Sequence, residues 1–144
     1  MIILMLMAMA LWSGLDSHAE EINWDKLVAS VIQVESGGDP SAVSPAGAVG
    51  LMQITPIVLK EFNETPHLPC YEPHKLYIPW VNKFIGTWYL QRLYYHYGCE
   101  TVEQILAAYN GGPTRLRKNN FDIKKMPRET RDYVTKVLRE YNKE

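Results

Sequence analysis

A glutamate stands where a helix should carry an apolar residue. Val28, Val31 and Ile32 fall on one face of a helical repeat, and Glu35 continues that face, seven after Val28 and four after Val31. A carboxyl group there meets two conditions that oppose its charge: burial, and the partial negative charge at the carbonyl end of a helix. Both raise its pKa. A carboxyl group that keeps its proton near neutral pH is what a general acid needs. The same pattern also fits a glutamate that turns into solvent where the helix ends. The segment after it favours a site. Gly37, Gly38, Gly47 and Gly50, with Pro40 and Pro45, make a constrained link that can fold back over the helix end. Ser44 and Gln53 bring hydrogen-bonding groups without charge, which suit a neutral, hydroxyl- and amide-rich ligand better than a phosphate. Tyr109-Asn110 adds an aromatic face and an amide at a second helix end, a combination suited to sugar rings. Asp39, just past the double glycine, reads as a turn residue rather than a second catalytic carboxylate.

The elements that must position these residues read as helical throughout. Asn23 caps a first helix through Leu27, Val28, Val31 and Ile32, stopped by Gly37-Gly38. Thr55-Pro56 opens a short helix through Phe62. The stretch from Asn63 to Tyr77, with three prolines, reads as loop. Pro79 opens a long helix to about Tyr97, with Val81, Phe84, Ile85 and Trp88 on one face. Thr101 and Gln104 form a capping box for a helix that ends at Asn110-Gly111-Gly112-Pro113. A last helix runs from Arg128 to Tyr141, with Val134, Val137, Leu138 and Tyr141 facing inward. The expected fold is an all-α single domain, with room for a minor β-hairpin or irregular segment around residues 44–54.

The chain has 144 residues, 47% hydrophobic and 22% charged, with a formal net charge of -1. That composition excludes disorder, and without a basic stripe nucleic acid is not an expected partner. Ile2 to Trp12 is an uncharged apolar run, too short to span a membrane and suited to a signal peptide. Ser17-His18-Ala19 offers a cleavage site, so residues 1–19 are expected to be an export signal and residues 20–144 the domain, located in the periplasm or cell envelope. An uncleaved anchor is the other reading of the same run. Export would give Cys70 and Cys99 an oxidising compartment and lead to an expected disulfide, stabilising by about 3–4 kcal/mol; two unpaired buried thiols are the alternative. The four histidines, His18, His67, His74 and His96, do not recur at a ligand spacing, so no metal is expected. Gly47 and Gly50 lack the spacing and the Lys of a phosphate loop, and no cofactor is expected.

Taken in order, Glu35-Ser36-Gly37-Gly38, Gly50-Leu51-Met52-Gln53-Ile54, Ala108-Tyr109-Asn110-Gly111-Gly112-Pro113 and Glu129-Thr130-Arg131-Asp132-Tyr133-Val134 resemble the soluble lytic transglycosylase family. Ile85 to Leu90 resembles the family's central helix, and the likeness covers roughly residues 24–141. The resemblance implies a lysozyme-like α fold related to goose-type lysozyme. It implies cleavage of the β-1,4 bond between N-acetylmuramic acid and N-acetylglucosamine in peptidoglycan. Under it, Glu35 is the single acid/base, Ser44 a hydrogen-bonding partner near that carboxyl, and Gln53 with Met52 a cleft-lining segment. Tyr109 and Asn110 close on the reacting sugar, Glu129 binds sugar, and Tyr133 shapes the site near the carboxyl. Thr55 departs from the pattern, standing where some relatives carry a methionine, and the proline-rich loop of residues 63–77 is less typical of the family. The partner implied is the glycan strand, and the protein itself is expected to be a monomer; an assembly factor whose transglycosylase opens the wall for an envelope-spanning secretion, conjugation or pilus apparatus is a further reading. A goose-type hydrolase and a non-catalytic peptidoglycan-binding protein are the competing readings.

Overall fold

The computed structural model describes residues 21–143. The expected export signal at residues 1–19 lies outside them. Six α-helices follow in order: α1 (Trp24–Glu35), α2 (Pro56–Asn63), α3 (Pro79–Tyr95), α4 (Val102–Gly111), α5 (Pro113–Lys118) and α6 (Arg128–Tyr141). Two 3-10 turns, Pro73–Tyr77 and Ile123–Lys125, interrupt the connections.

The helix starts are set by their caps. Asn23 accepts from the Lys26 amide at 3.0 Å, and Thr55 from the Val58 amide at 3.3 Å. Thr101 accepts from the Gln104 amide at 3.2 Å, while the Gln104 side chain turns back to the Glu100 amide at 2.8 Å, one residue beyond the reciprocal bond of a capping box. The unexpected α5 arises because Gly112 turns the chain at φ +89° and Pro113 is preset for a first helical turn. The chain therefore restarts a helix where the sequence pattern indicated only a stop.

Helix α4 sits at the centre and contacts α3, α5 and α6. Its four consecutive residues Ile105, Leu106, Ala107 and Ala108 are fully buried, as a helix surrounded on all sides requires. Around it gather Leu27, Val28 and Val31 of α1, Val81, Ile85, Leu90 and Leu93 of α3, and Val134 and Val137 of α6. The expected inner face of α3 is only partly right: Phe84 stays exposed.

Residues 36–55 form an irregular loop carrying two isolated bridges, Val43 with Val49 and Val49 with Ile54, and no strand among the described residues. Left-handed backbone at Gly47, Gly50 and Gln53 breaks any longer ladder. One buried side chain holds this loop. Asn82 of α3 accepts from the Met52 amide at 2.8 Å and donates to the carbonyls of Val49 at 2.7 Å and Leu76 at 2.9 Å.

The expected Cys70–Cys99 disulfide is absent, and both thiols are free. Cys99 points into the core, where its Sγ donates to the Gln104 carbonyl at 3.6 Å and burial pushes its pKa up to about 11. Cys70 faces outward on the loop after α2. The two side chains thus serve different environments, one in the core and one at the surface.

Replacing Asn82 by Ala leaves three backbone groups without their partner. The expected loss is about 3 kcal/mol or more of unfolding free energy, measured as a lower urea midpoint at unchanged slope.

Candidate functional site

Glu35 is the last residue of α1. Its carboxyl group lies partly buried where the Gly37-Gly38 turn leaves the helix. Burial raises its pKa from 4.5 to about 7, and the Tyr133 hydroxyl opposes part of that rise. The pair is looser than an ordinary hydrogen bond. The buried Tyr133 oxygen has no partner at full hydrogen-bonding geometry, yet it faces Glu35 closely enough to moderate the acid. The interaction works in both directions, since burial first and the Glu35 charge second push the Tyr133 phenol well above its ordinary value.

Tyr109, on the last turn of α4, completes the surround. Its hydroxyl donates to the Met52 carbonyl at 2.7 Å. Burial raises the phenol well above its ordinary pKa, with Glu35 and Tyr89 adding to the effect. Met52 is thereby fixed on both sides, its amide by Asn82 and its carbonyl by Tyr109. The end of α4 reaches α6 because residue 111 is glycine. A Cβ there would lie 2.6 Å from Met126 Cε and 2.9 Å from Thr130 Oγ1.

A groove of about 300 Å³ opens beside Tyr109, with Gln53, Thr55, Tyr89 and Asn110 in its walls. Larger hollows of about 440 Å³ and 870 Å³ lie between α2 and the 63–77 loop and beside the ends of the described chain. Tyr109 lines neither of them; it lines the smaller groove, and through Tyr109 that groove is tied to Glu35, which is not itself in the groove wall.

The sequence-predicted residues divide accordingly. Glu35, Tyr109 and Tyr133 converge electrostatically, and Gln53, Tyr109 and Asn110 share the groove. Gln53 sits in left-handed backbone, φ +50°, and its amide nitrogen donates to the carbonyls of Ala42 and Gly50, both at 3.1 Å. Its amide oxygen is left for a ligand donor. Met52 does not line the cleft with its side chain: it is fully buried, packed against Gly86 of α3. Its contribution is the backbone that Tyr109 grips. Ser44 accepts from the Ala48 amide at 3.0 Å, a bond that stays within its own turn. Glu129 is exposed on the first turn of α6, one turn before Tyr133 on the same face. Asp39 is exposed, and its carboxylate accepts from the Ser41 hydroxyl and amide, which hold its pKa below the ordinary value. Thr55 both caps α2 and lines the groove.

Tyr89 and Asn82 escaped sequence reasoning. Tyr89 meets Tyr109 at 5.6 Å with the rings tilted by 52° and lines the groove, but at four residues after Ile85 it reads as core. Asn82 was visible only as an amide embedded in an apolar helix.

The family profile for the transglycosylase SLT domain matches residues 16–131. The soluble lytic murein transglycosylase of Escherichia coli K12 is 36% identical over 121 residues, covering 76% of this chain and 19% of that protein. The transglycosylase of Enterobacteria phage PRD1 is 32% identical over 136 residues, covering 94% of this chain and 44% of that protein. The crystal structure of the 70 kDa soluble lytic transglycosylase from Escherichia coli superposes with a TM-score of 0.74 at 34% identity, covering 87% of this chain and 22% of that one. The chain thus spans less than half the length of these relatives.

Glu35 makes stability depend on pH in a defined direction. Its folded pKa of about 7 lies above the ordinary 4.5, so the folded state holds this proton more tightly. The stability tied to that proton is full below about 4.5 and is lost as pH rises through about 7. Glu35→Gln removes the titration. Its thermal midpoint should match the parent's in acid and rise above it beyond neutral pH, as followed by circular dichroism across a pH series.

Proposed function

This chain belongs to the transglycosylase SLT domain family, and from that premise we propose that it is a lytic transglycosylase of peptidoglycan. The bond it cleaves is the β-1,4 link between N-acetylmuramic acid and N-acetylglucosamine. The observation that carries this reading is the Glu35 carboxyl group, poised near neutrality by burial beside the phenols of Tyr109 and Tyr133.

In the proposed mechanism, protonated Glu35 gives its proton to the glycosidic oxygen as the bond from that oxygen to the muramyl C1 breaks. The N-acetylglucosamine leaves with a free hydroxyl. The oxygen of the muramyl 2-acetamido group bonds to C1 and carries the developing charge. Glu35, now a carboxylate, takes the proton from the C6 hydroxyl, whose oxygen attacks C1 and displaces the acetamido oxygen. The product is a 1,6-anhydromuramyl end, and no water is consumed. One residue acts first as acid and then as base. The tethering of Asp39 to Ser41 supports this single-carboxylate route over a retaining mechanism with a second carboxylate beside the bond.

Gln53 and Asn110 supply uncharged partners for sugar hydroxyl and acetamido groups, and Tyr89 and Tyr109 supply apolar ring faces. Ser44 and Glu129 belong to the same proposal as contacts made once a glycan strand extends past the groove. The setting we propose is the cell envelope, where local wall opening would serve a secretion, conjugation or pilus apparatus. Co-purification with such an apparatus tests that setting.

The activity is tested by digestion of purified sacculi followed by mass spectrometry of the muropeptides. The parent should release anhydro ends, lighter by one water than reducing ends. Glu35→Gln should lose about 100- to 10,000-fold in rate. The rate of the parent should fall as pH rises through about 7, as the acid loses its proton. Reducing ends in place of anhydro ends would make the protein a hydrolase.

A further inference from the structure

The first half of α3 carries large side chains that the core does not use. Trp80 is 63% exposed, Tyr77 of the preceding 3-10 turn 46%, and Phe84 42%. Trp80 and Phe84 are four residues apart and lie side by side on the helix surface. The core face of α3 is already supplied by Val81, Ile85, Tyr89 and Leu93. The helix therefore presents two apolar faces, and only one is covered. The exposed rings are held in place. Trp80 meets Tyr71 edge-on at 6.1 Å, and Phe84 meets the buried Phe62 edge-on at 5.6 Å. None of Tyr77, Trp80 and Phe84 lines the groove beside Tyr109.

Within its own segment the patch carries only positive charge, and exposed Glu72 stands at its edge beside Tyr71. No Asp or Glu occurs from Pro73 to Cys99. Arg92 in that stretch is neutralised by Glu61 at 2.6 Å. Lys75 and Lys83 are exposed and outside every ion pair among the described residues. Lys83 lies one turn from Trp80 and beside Phe84. Exposed Trp and Tyr settle at the boundary between water and hydrocarbon, and lysines beside them meet anionic headgroups.

We propose that this face docks the protein on an anionic lipid bilayer surface. The rings of Trp80, Phe84 and Tyr77 enter the headgroup boundary while Lys75 and Lys83 meet lipid phosphates. No helix of the described residues is long and apolar enough to cross a membrane, so the contact made by this face is superficial.

The exposed Cys70, adjacent in sequence to Tyr71, gives a local probe, because Cys99 is buried. An environment-sensitive fluorophore on Cys70 of the full chain reports on this face, and two double variants separate contact made by this face from contact made elsewhere in the chain. Vesicles mixing phosphatidylglycerol with phosphatidylcholine should shift its emission to the blue, and phosphatidylcholine alone should shift it far less. The double variants Trp80→Ala/Phe84→Ala and Lys75→Glu/Lys83→Glu should each need about tenfold more lipid, or beyond, for the same shift. Lys75→Glu/Lys83→Glu should keep the parent's thermal midpoint, whereas Trp80→Ala/Phe84→Ala gives up the edge contacts to Tyr71 and Phe62 and should melt somewhat lower while keeping the parent's circular dichroism at the assay temperature. The proposal is overturned if no shift occurs, if the variants respond as the parent does, or if purified sacculi rather than vesicles produce the shift.

Discussion

Burying one carboxyl group at the carbonyl end of a helix is costly, and the rest of the site is arranged around that cost. Glu35 keeps its proton to about pH 7 because water is largely removed from it. The groups brought towards it are phenols, Tyr109 and Tyr133, which offer polarity without a competing charge. A cation there would restore an ordinary carboxylate and remove the acid. The looseness of the Tyr133 contact helps to keep the pKa raised, since a tight hydrogen bond to the ionised form would pull it back down.

That arrangement needs three segments distant in sequence to meet at fixed separation. The Gly37-Gly38 turn ends α1 beneath the carboxyl group. The Met52 backbone is clamped between Asn82 of α3 and Tyr109 of α4, so the loop and the Tyr109 ring are tied to each other and to the helix bundle. Gly86 makes room for the Met52 side chain, and Gly111 lets the end of α4 approach α6, where Tyr133 resides. On the far side, Glu61 of α2 accepts from Arg92 and from Tyr97, both at 2.6 Å, and Arg92 lies over the Trp88 ring at 5.2 Å. Part of that cluster is exposed, so it orients α2 on α3 more than it stabilises the fold.

Much of this was legible from residue spacing. The helix caps at Asn23, Thr55 and Thr101 are local chemistry, and α6 runs over the residues its apolar period indicated. Glu35 could be singled out because a charge on an apolar stripe is a conflict between neighbours in sequence. What stayed hidden depends on tertiary geometry. The role of Met52 as a buried backbone anchor, the reach of Asn82 across the loop and the placement of Tyr89 in the groove wall each require knowing which helices touch. The cysteine pairing failed for the same reason. Two cysteines in one chain fix a count, whereas Cys99 is turned into the core and Cys70 away from it.

The proposed chemistry rests on the protonation state of one side chain, and that can be read directly. Carbon-13 NMR of the protein labelled at the glutamate carboxyl carbons, with Glu35 assigned by comparison with Glu35→Gln, gives its titration curve in the resting protein. A midpoint near pH 7 is the expected result. A midpoint at the ordinary carboxylate value of 4.5 would contradict the account, because Glu35 would then hold no proton to donate near neutrality.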